Sequence, residues 1–258
     1  EKIEFEQRTL RAQSLMHKFQ IDALLLTTEP EVRYFTGFFT QFWESPTRPW
    51  FVVLPLIGEP IAVIPEIGAV GMAATWIEDI RTWPAPRPED DGVSLLASTL
   101  KEQKGRFGRF GAMLGQETIL RMPTNNFISL RDIVGNRDFV DAANIIHQLR
   151  YVKSNAEIAK INYVCDITSE AFEELPKKLK LGESERQNCL KFRIDLLKRG
   201  ADNSPFIVAG SGRGGYSNII MGPTDKTLDN GDVFIIDTGT LYDGYFCDFD
   251  RNFAFGPV

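Results

Sequence analysis

Cysteine and histidine are both scarce in this chain of 258 residues. The three cysteines, Cys165, Cys189 and Cys247, are odd in number and far apart, so no disulfide framework is expected. They read as reduced thiols in a cytoplasmic setting. The two histidines, His17 and His147, lie in the first part of the chain. His17 stands among polar neighbours and reads as a surface residue, and His147 reads as a partly buried structural one. No apolar run approaches the length of a membrane span. The amino end, Glu1-Lys2-Ile3-Glu4, is charged and unlike a signal peptide. Positive charge is also short: the net charge is −6, which disfavours a general nucleic-acid or anionic-membrane binder. There is no internal repeat and no low-complexity tract. The chain does not begin with methionine and stops just after a strand-like run, so a piece of a longer protein is expected.

What is present is ordinary globular composition, 43% hydrophobic and 25% charged. The length suffices for a large core or two domains. Ala12, Leu15, Met16 and Phe19 recur at helical spacing within a predicted helix over 3–20. Strands are predicted at 23–26, 51–54, 61–64, 77–82 and 107–114. Helices are predicted at 69–76, 93–103, 125–131 and 142–149, and a turn or short helix at 31–35. This alternation indicates an α/β (α+β) domain with a mixed sheet over residues 1–150. A second domain, 151–258, opens with the capping box Ser154-Asn155-Ala156-Glu157. Ile158, Ile161, Cys165, Thr168 and Phe172 then fall on one helical face, which makes Cys165 a core residue. A further capping box, Ser184 to Gln187, starts a helix reaching Arg199, with Gly200 as its stop. Phe206 to Ala209 reads as a strand. The glycine-rich run Gly210 to Gly215 is no phosphate cradle, because neither Lys-Ser/Thr nor a helix follows it.

Residues 38–51 hold several aromatics, two prolines and Arg48. One reading is that the aromatics fill the domain core. The other is a loop that lines a pocket or reaches a neighbouring subunit. In that case Trp43, Trp50 and Arg48 touch substrate, and Arg48 holds a carboxylate by a bidentate pair.

The chain's chemistry gathers between Gly231 and Arg251. Val233 to Ile236 is a short apolar run that stops at Asp237, and Tyr242-Asp243-Gly244 signals a turn. A four-residue loop, Leu241 to Gly244, would set Asp237 opposite Asp248. A two-residue turn at Asp243-Gly244 would set it opposite Asp250. Either register clusters acids on one face, since Asp248 and Asp250 are two apart. Crowded carboxylates repel unless a cation sits between them, and a hard divalent ion is the natural occupant.

These segments resemble the creatinase, prolidase and aminopeptidase P group of pita-bread metallohydrolases. Glu31-Val32-Arg33-Tyr34-Phe35-Thr36-Gly37-Phe38 is similar to a segment of that group's N-terminal domain. Leu149-Arg150-Tyr151-Val152-Lys153-Ser154 with Glu157-Ile158 resembles the start of its catalytic domain. Pro223-Thr224-Asp225, Gly231-Asp232, Asp237 and Asp248 follow in the order of the first half of its metal site. The resemblance implies a creatinase-type N-terminal domain followed by a pita-bread catalytic domain cut short in its C-terminal half. It implies two divalent metal ions (manganese, zinc, cobalt or iron) held by Asp, Asp, His, Glu and Glu. Asp237 would bind one metal and Asp248 would bridge both. The histidine and glutamates, including the general-base glutamate, are expected beyond Val258. The implied activity is hydrolysis of an amide by a metal-activated water, as in Xaa-Pro dipeptidase or aminopeptidase P. The substrate would be a small molecule or short peptide, and the assembly a homodimer.

Two positions depart from the family pattern. Ile220 occupies the place of a histidine that contacts substrate, and it can neither donate a hydrogen bond nor carry a proton. Asp250 replaces a threonine that supports the bridging carboxylate. Asp250 could bind the metals more tightly, recruit Arg251 or simply pair with a cation. These departures keep two alternatives open. One is a relative acting on a small metabolite, either a creatinase-type C–N hydrolase or a dimethylsulfoniopropionate lyase type, whose cation would suit Trp43 and Trp50. The other is a non-catalytic binding module.

Overall fold

The computed structural model describes residues 2–257. They form two compact units, the first ending at Val152 and the second beginning at Lys153. The first unit runs α1 (Lys2–Phe19), β1 (Ala23–Leu26), α2 (Glu29–Thr36), β2 (Phe51–Pro55), β3 (Ile61–Pro65), α3 (Ala69–Ala73), β4 (Asp79–Trp83), α4 (Val93–Glu102), β5 (Arg109–Ala112), α5 (Thr124–Val134), β6 (Asp138–Asp141) and α6 (Ala143–Tyr151). Its six strands lie in the order β4-β3-β2-β1-β5-β6. The β1–β2 and β2–β3 pairs are antiparallel, and the other neighbours are parallel.

The central strands read as unbroken apolar runs because both faces of the sheet are covered. Leu24, Leu26, Val52, Leu54, Ala62 and Ile64 face one core with Met16, Phe35 and Ile146. Ala23, Leu25, Phe51, Val53 and Val63 face the other with Leu96, Leu100 and Leu130. Burying each of the larger aliphatic side chains contributes about 1.5–3 kcal/mol. Strand β6 has no counterpart among the sequence-based expectations. Its Asp138-Phe139-Val140-Asp141 offers two apolar residues between carboxylates, and it lies at the sheet edge.

The aromatic segment resolves toward the core reading. Trp50 is 1% exposed and Trp43 9%, and the Trp50 ring packs against both Phe38 and Trp43. The Trp50 ring lies so close to Gly68 that a methyl there would strike it. Burial of Trp43 and Trp50 thus favours the first of the two readings, core filling, over a substrate-lining role. Phe39 and Phe42 remain exposed, and the Arg48 guanidinium sits over the Phe42 ring.

The second unit consists of α7 (Asn155–Glu174), α8 (Glu185–Lys198), β7 (Asn203–Arg213), β8 (Asp232–Tyr242) and β9 (Tyr245–Ala254). Both capping boxes form as the sequence predicts. Ser154 and Ser184 each accept a hydrogen bond from the third helical amide, and Glu157 and Gln187 accept in return from the cap amides. The buried stripe of α7 is Val164, Ile167, Thr168, Ala171 and Phe172. Ile158 is 44% exposed and Cys165 only partly covered, which corrects the expected face. The helix turns its small residues to the sheet, where the Thr168 hydroxyl meets Cys247 Sγ at 3.3 Å. The sheet is antiparallel, ordered β7-β8-β9. Its Ile207, Ala209, Phe234 and Ile236 bury against Phe172, Phe192 and Leu196 of the helices. The opposite sheet face carries the carboxylates. No helix among the described residues is long and apolar enough to cross a membrane.

Candidate metal centre

Strand β8 ends and β9 begins around Asp243-Gly244, with Tyr242 paired to Tyr245. Asp243 (φ 47°) and Gly244 (φ 79°) both adopt the left-handed region, as a two-residue type I′ turn requires. Helix α7 holds the hairpin tip: the Tyr245 hydroxyl donates to Glu157 Oε1 at 2.9 Å, and Lys160 pairs with Asp243 at 2.6 Å. On the other side the Asp243 amide donates to Asp202 at 2.6 Å.

This turn selects the second of the two registers. Asp237 stands opposite Asp250, and Asp248 stands opposite Gly239. Alternation along the strands puts Asp237, Asp248 and Asp250 on the face turned away from α7 and α8. Asp248 and Asp250 are exposed and Asp237 is half-buried. Burial, then the charges of Asp248 and Asp250, push the Asp237 carboxyl above the ordinary aspartate range. Among the described residues no lysine, arginine or histidine forms an ion pair with any of the three. Arg251, next in sequence to Asp250, points to the helix side. Its guanidinium lies over the Phe172 and Phe249 rings and donates to the Asp250 carbonyl at 2.6 Å.

Oxygen-only donors with excess negative charge fit part of a divalent-cation site. They fit it incompletely: among the described residues no three histidine, cysteine or acidic side chains converge closely enough to hold one ion. His17 and His147 belong to the first unit, where they contact Phe107 and Tyr151 respectively.

Two features beside the carboxylates escaped sequence reasoning. Phe206 of β7 and Phe246 of β9 lean over Gly239, their ring centres 6.0 Å apart, and fill the space that a methyl at Gly239 would need. The D-x-G spacing of Asp237 and Gly239 was the available signal. The second is Glu185, 2% exposed on α8. It accepts from the Ser211 hydroxyl (2.6 Å) and from the Thr224 amide (2.9 Å) and hydroxyl (2.7 Å). Burial raises its pKa, but these hydrogen bonds outweigh burial and hold it below the ordinary glutamate value. Glu185 thus ties Pro223-Thr224-Asp225 to the sheet. Between these anchors the chain runs back along the free edge of β7, where the Ala209 amide donates to the Met221 carbonyl at 3.1 Å. Val208, next to Ala209, is the register partner of Asp237. Ile220, 81% exposed, immediately precedes Met221 on this edge.

The profile of the Creatinase/Prolidase N-terminal domain matches residues 8–152, and that of Metallopeptidase family M24 matches residues 159–258. An uncharacterized peptidase of Bacillus subtilis, YqhT, is 26% identical over 252 residues, covering 95% of this chain and 64% of that protein. An Xaa-Pro dipeptidase of Pyrococcus horikoshii is 25% identical over 243 residues, covering 93% and 62%. The chain thus spans less than two thirds of the length of these relatives. A prolidase from Thermococcus sibiricus superposes with a TM-score of 0.83 at 22% identity, over 98% of this chain and 66% of that one. Dipeptidase PepE from Mycobacterium ulcerans does so with 0.80 at 23%, over 98% and 65%. Both solved structures share the mixed α/β, pita-bread architecture. With its N-terminal domain and its M24 segment matched in order, the chain belongs to the creatinase/prolidase family of metallopeptidases.

Proposed function

We propose that the open face of the second unit supplies the aspartates of a two-metal site in a hydrolase acting on Xaa-Pro peptides. The observation that carries this reading is the cluster of Asp237, Asp248 and Asp250 on one sheet face with no cationic partner among the described residues. Its context is the family and the naming of a relative as an Xaa-Pro dipeptidase. Asp237 would bind one ion and Asp248 would bridge. When bound, such ions would lower the pKa of a water and polarise the scissile carbonyl. Asp250, directly across from Asp237, adds a negative charge where the family pattern has a neutral threonine. The histidine and two glutamates that complete the family's donor set would come from residues other than this hairpin. A homodimer, a short-peptide substrate and a cytoplasmic setting belong to the same proposal; the three cysteines are free thiols.

Ile220 favours a second reading, a relative acting on a small metabolite rather than a peptide. The exposed isoleucine offers apolar contact and no side-chain hydrogen bond where the family pattern has a histidine. Trp43 and Trp50 lend it no support, because both are buried.

The test is hydrolysis of a panel of Xaa-Pro dipeptides by the full-length protein, metal-stripped and with manganese restored. Manganese-dependent cleavage, lost in Asp237→Asn and Asp248→Asn, is the expected result. Metal binding without cleavage of any dipeptide would favour the metabolite reading. Absence of metal binding would leave only a binding module.

A further inference from the structure

We propose that the first unit carries an anion site for a small phosphate-bearing molecule, in the cavity between the ends of α4 and α5. This cavity of about 430 Å³ is lined by Lys101, Gly105, Arg106, Gly108, Asn136 and Arg137. Its volume lies in the range of small-molecule sites.

The chain as a whole is acidic, yet three cations from three separate segments converge here. Lys101 comes from the last turn of α4, Arg106 from the loop after it, and Arg137 from the loop after α5. No carboxylate lines the cavity. Asp22, behind this loop, is occupied: its two oxygens accept from the backbone amides of Arg106, Phe107, Gly108 and Arg109 at 2.7–3.2 Å. Glu102 is turned to Arg81, at 2.6 Å.

Arg137 is already held in place. Its Nη1 donates to the Gln103 carbonyl at 2.8 Å and the Leu100 carbonyl at 3.4 Å, and its guanidinium lies over the Phe110 ring. These contacts leave Nη2 and Nε without an acceptor among the described residues. A guanidinium fixed this way loses little freedom on gripping a tetrahedral oxyanion. Arg106 rests against His17 Nε2 at 3.3 Å and over the Phe107 ring, and Lys101 has no acceptor among the described residues. Because Asp22 has taken the loop's amides, the anion would be held by side chains rather than by a backbone cradle. Gly108 has no atom near the place of its missing side chain, which keeps the mouth open. A long nucleic acid is disfavoured by the net charge of −6. The chemistry therefore selects a compact anion with several acceptor oxygens, of the size of a diphosphate or a nucleoside phosphate.

The experiment is a calorimetric titration of the protein with inorganic pyrophosphate at two salt concentrations, with amide chemical shifts read in parallel. The expected result is saturable one-to-one binding that weakens with salt and shifts amides of residues 101–108 and 136–137. The variant Lys101→Ala/Arg106→Ala, at exposed positions, should lose roughly tenfold or more in affinity while its circular dichroism is unchanged. Arg137→Lys, which keeps a donor for the α4 carbonyls but not the fork, should lose affinity as well. No saturable binding, or equal binding by the double variant, would overturn the proposal. Affinity that rises steadily with the length of an oligonucleotide would overturn the small-molecule assignment. None of these outcomes depends on the peptidase reading.

Discussion

Asp237 faces Asp250 across the β8–β9 ladder, while Asp248 lies diagonally from it beside Gly239. A directly opposed pair of like charges destabilises a hairpin. Here the pair persists because the turn and α7 fix the register from outside the strands. The face therefore carries a repulsion that a bound cation would relieve.

The turn itself can be probed at Gly244. An L side chain is strained at φ 79°, so Gly244→Ala should cost about 1 kcal/mol and lower the melting temperature. Thermal denaturation followed by circular dichroism measures it. An unchanged melting temperature would mean that the turn is not held as described.

Gly239 has a different reason to lack a side chain. Gly239→Ala would push its methyl into the Phe246 and Phe206 rings, an overpacking cost of roughly 1–3 kcal/mol. Phe246→Ala in the same chain should return most of that loss. A denaturant series on the two single variants and the double variant would reveal the coupling, and strictly additive costs would argue against ring contact.

Glu185 supplies a pH dependence with a definite sign. Its folded pKa lies below the unfolded value, so the folded state binds fewer protons there. Its stabilisation is fully present above the ordinary glutamate range and is lost as pH falls through the depressed folded value. Glu185→Gln should cost about 1–3 kcal/mol at neutral pH, through hydrogen bonds left unmade, and should flatten the acid limb of stability. Hydrogen exchange should also quicken at residues 222–226, which Glu185 ties down. A variant with the wild-type acid limb would contradict this account.

In the aromatic segment, Trp50→Ala should lower stability by about 3–5 kcal/mol, since Trp50 is buried to 1% exposure. Arg48→Ala should change it by less than about 1 kcal/mol, because Arg48 makes a partly solvated contact with Phe42 and a charge interaction with Asp91. Urea midpoints separate the two. Similar losses for both would mean that Arg48 has a structural role not visible in its contacts.

Much of the fold was legible because its signals are local. Unbroken apolar runs mark β1 to β3, and the serine caps at Ser154 and Ser184 mark both helices of the second unit. What stayed hidden depends on contacts distant in sequence. Asp243-Gly244 suits a two-residue turn, but a longer loop fits the same residues. The contacts of Tyr245 with Glu157 and of Lys160 with Asp243 come from a helix some eighty residues away in sequence. Trp43 and Trp50 read alike as core or pocket wall, because both uses call for the same side chains. Glu185 sat inside a capping box and carried no separate mark of its bonds to Ser211 and Thr224. The cluster at Asp237 was legible under either register, since strand alternation keeps Asp248 and Asp250 on one face.

The most direct test of the metal reading is the melting temperature of the chelator-treated protein as manganese is added. Wild type should gain stability with rising metal, by RT ln(1 + [M]/Kd). Asp237→Asn should be more stable than wild type in chelator, because a repelling charge is gone, and should lose the manganese response. Wild type that ignores manganese, or an Asp237→Asn variant that responds as wild type does, would contradict the assignment of this face to a cation.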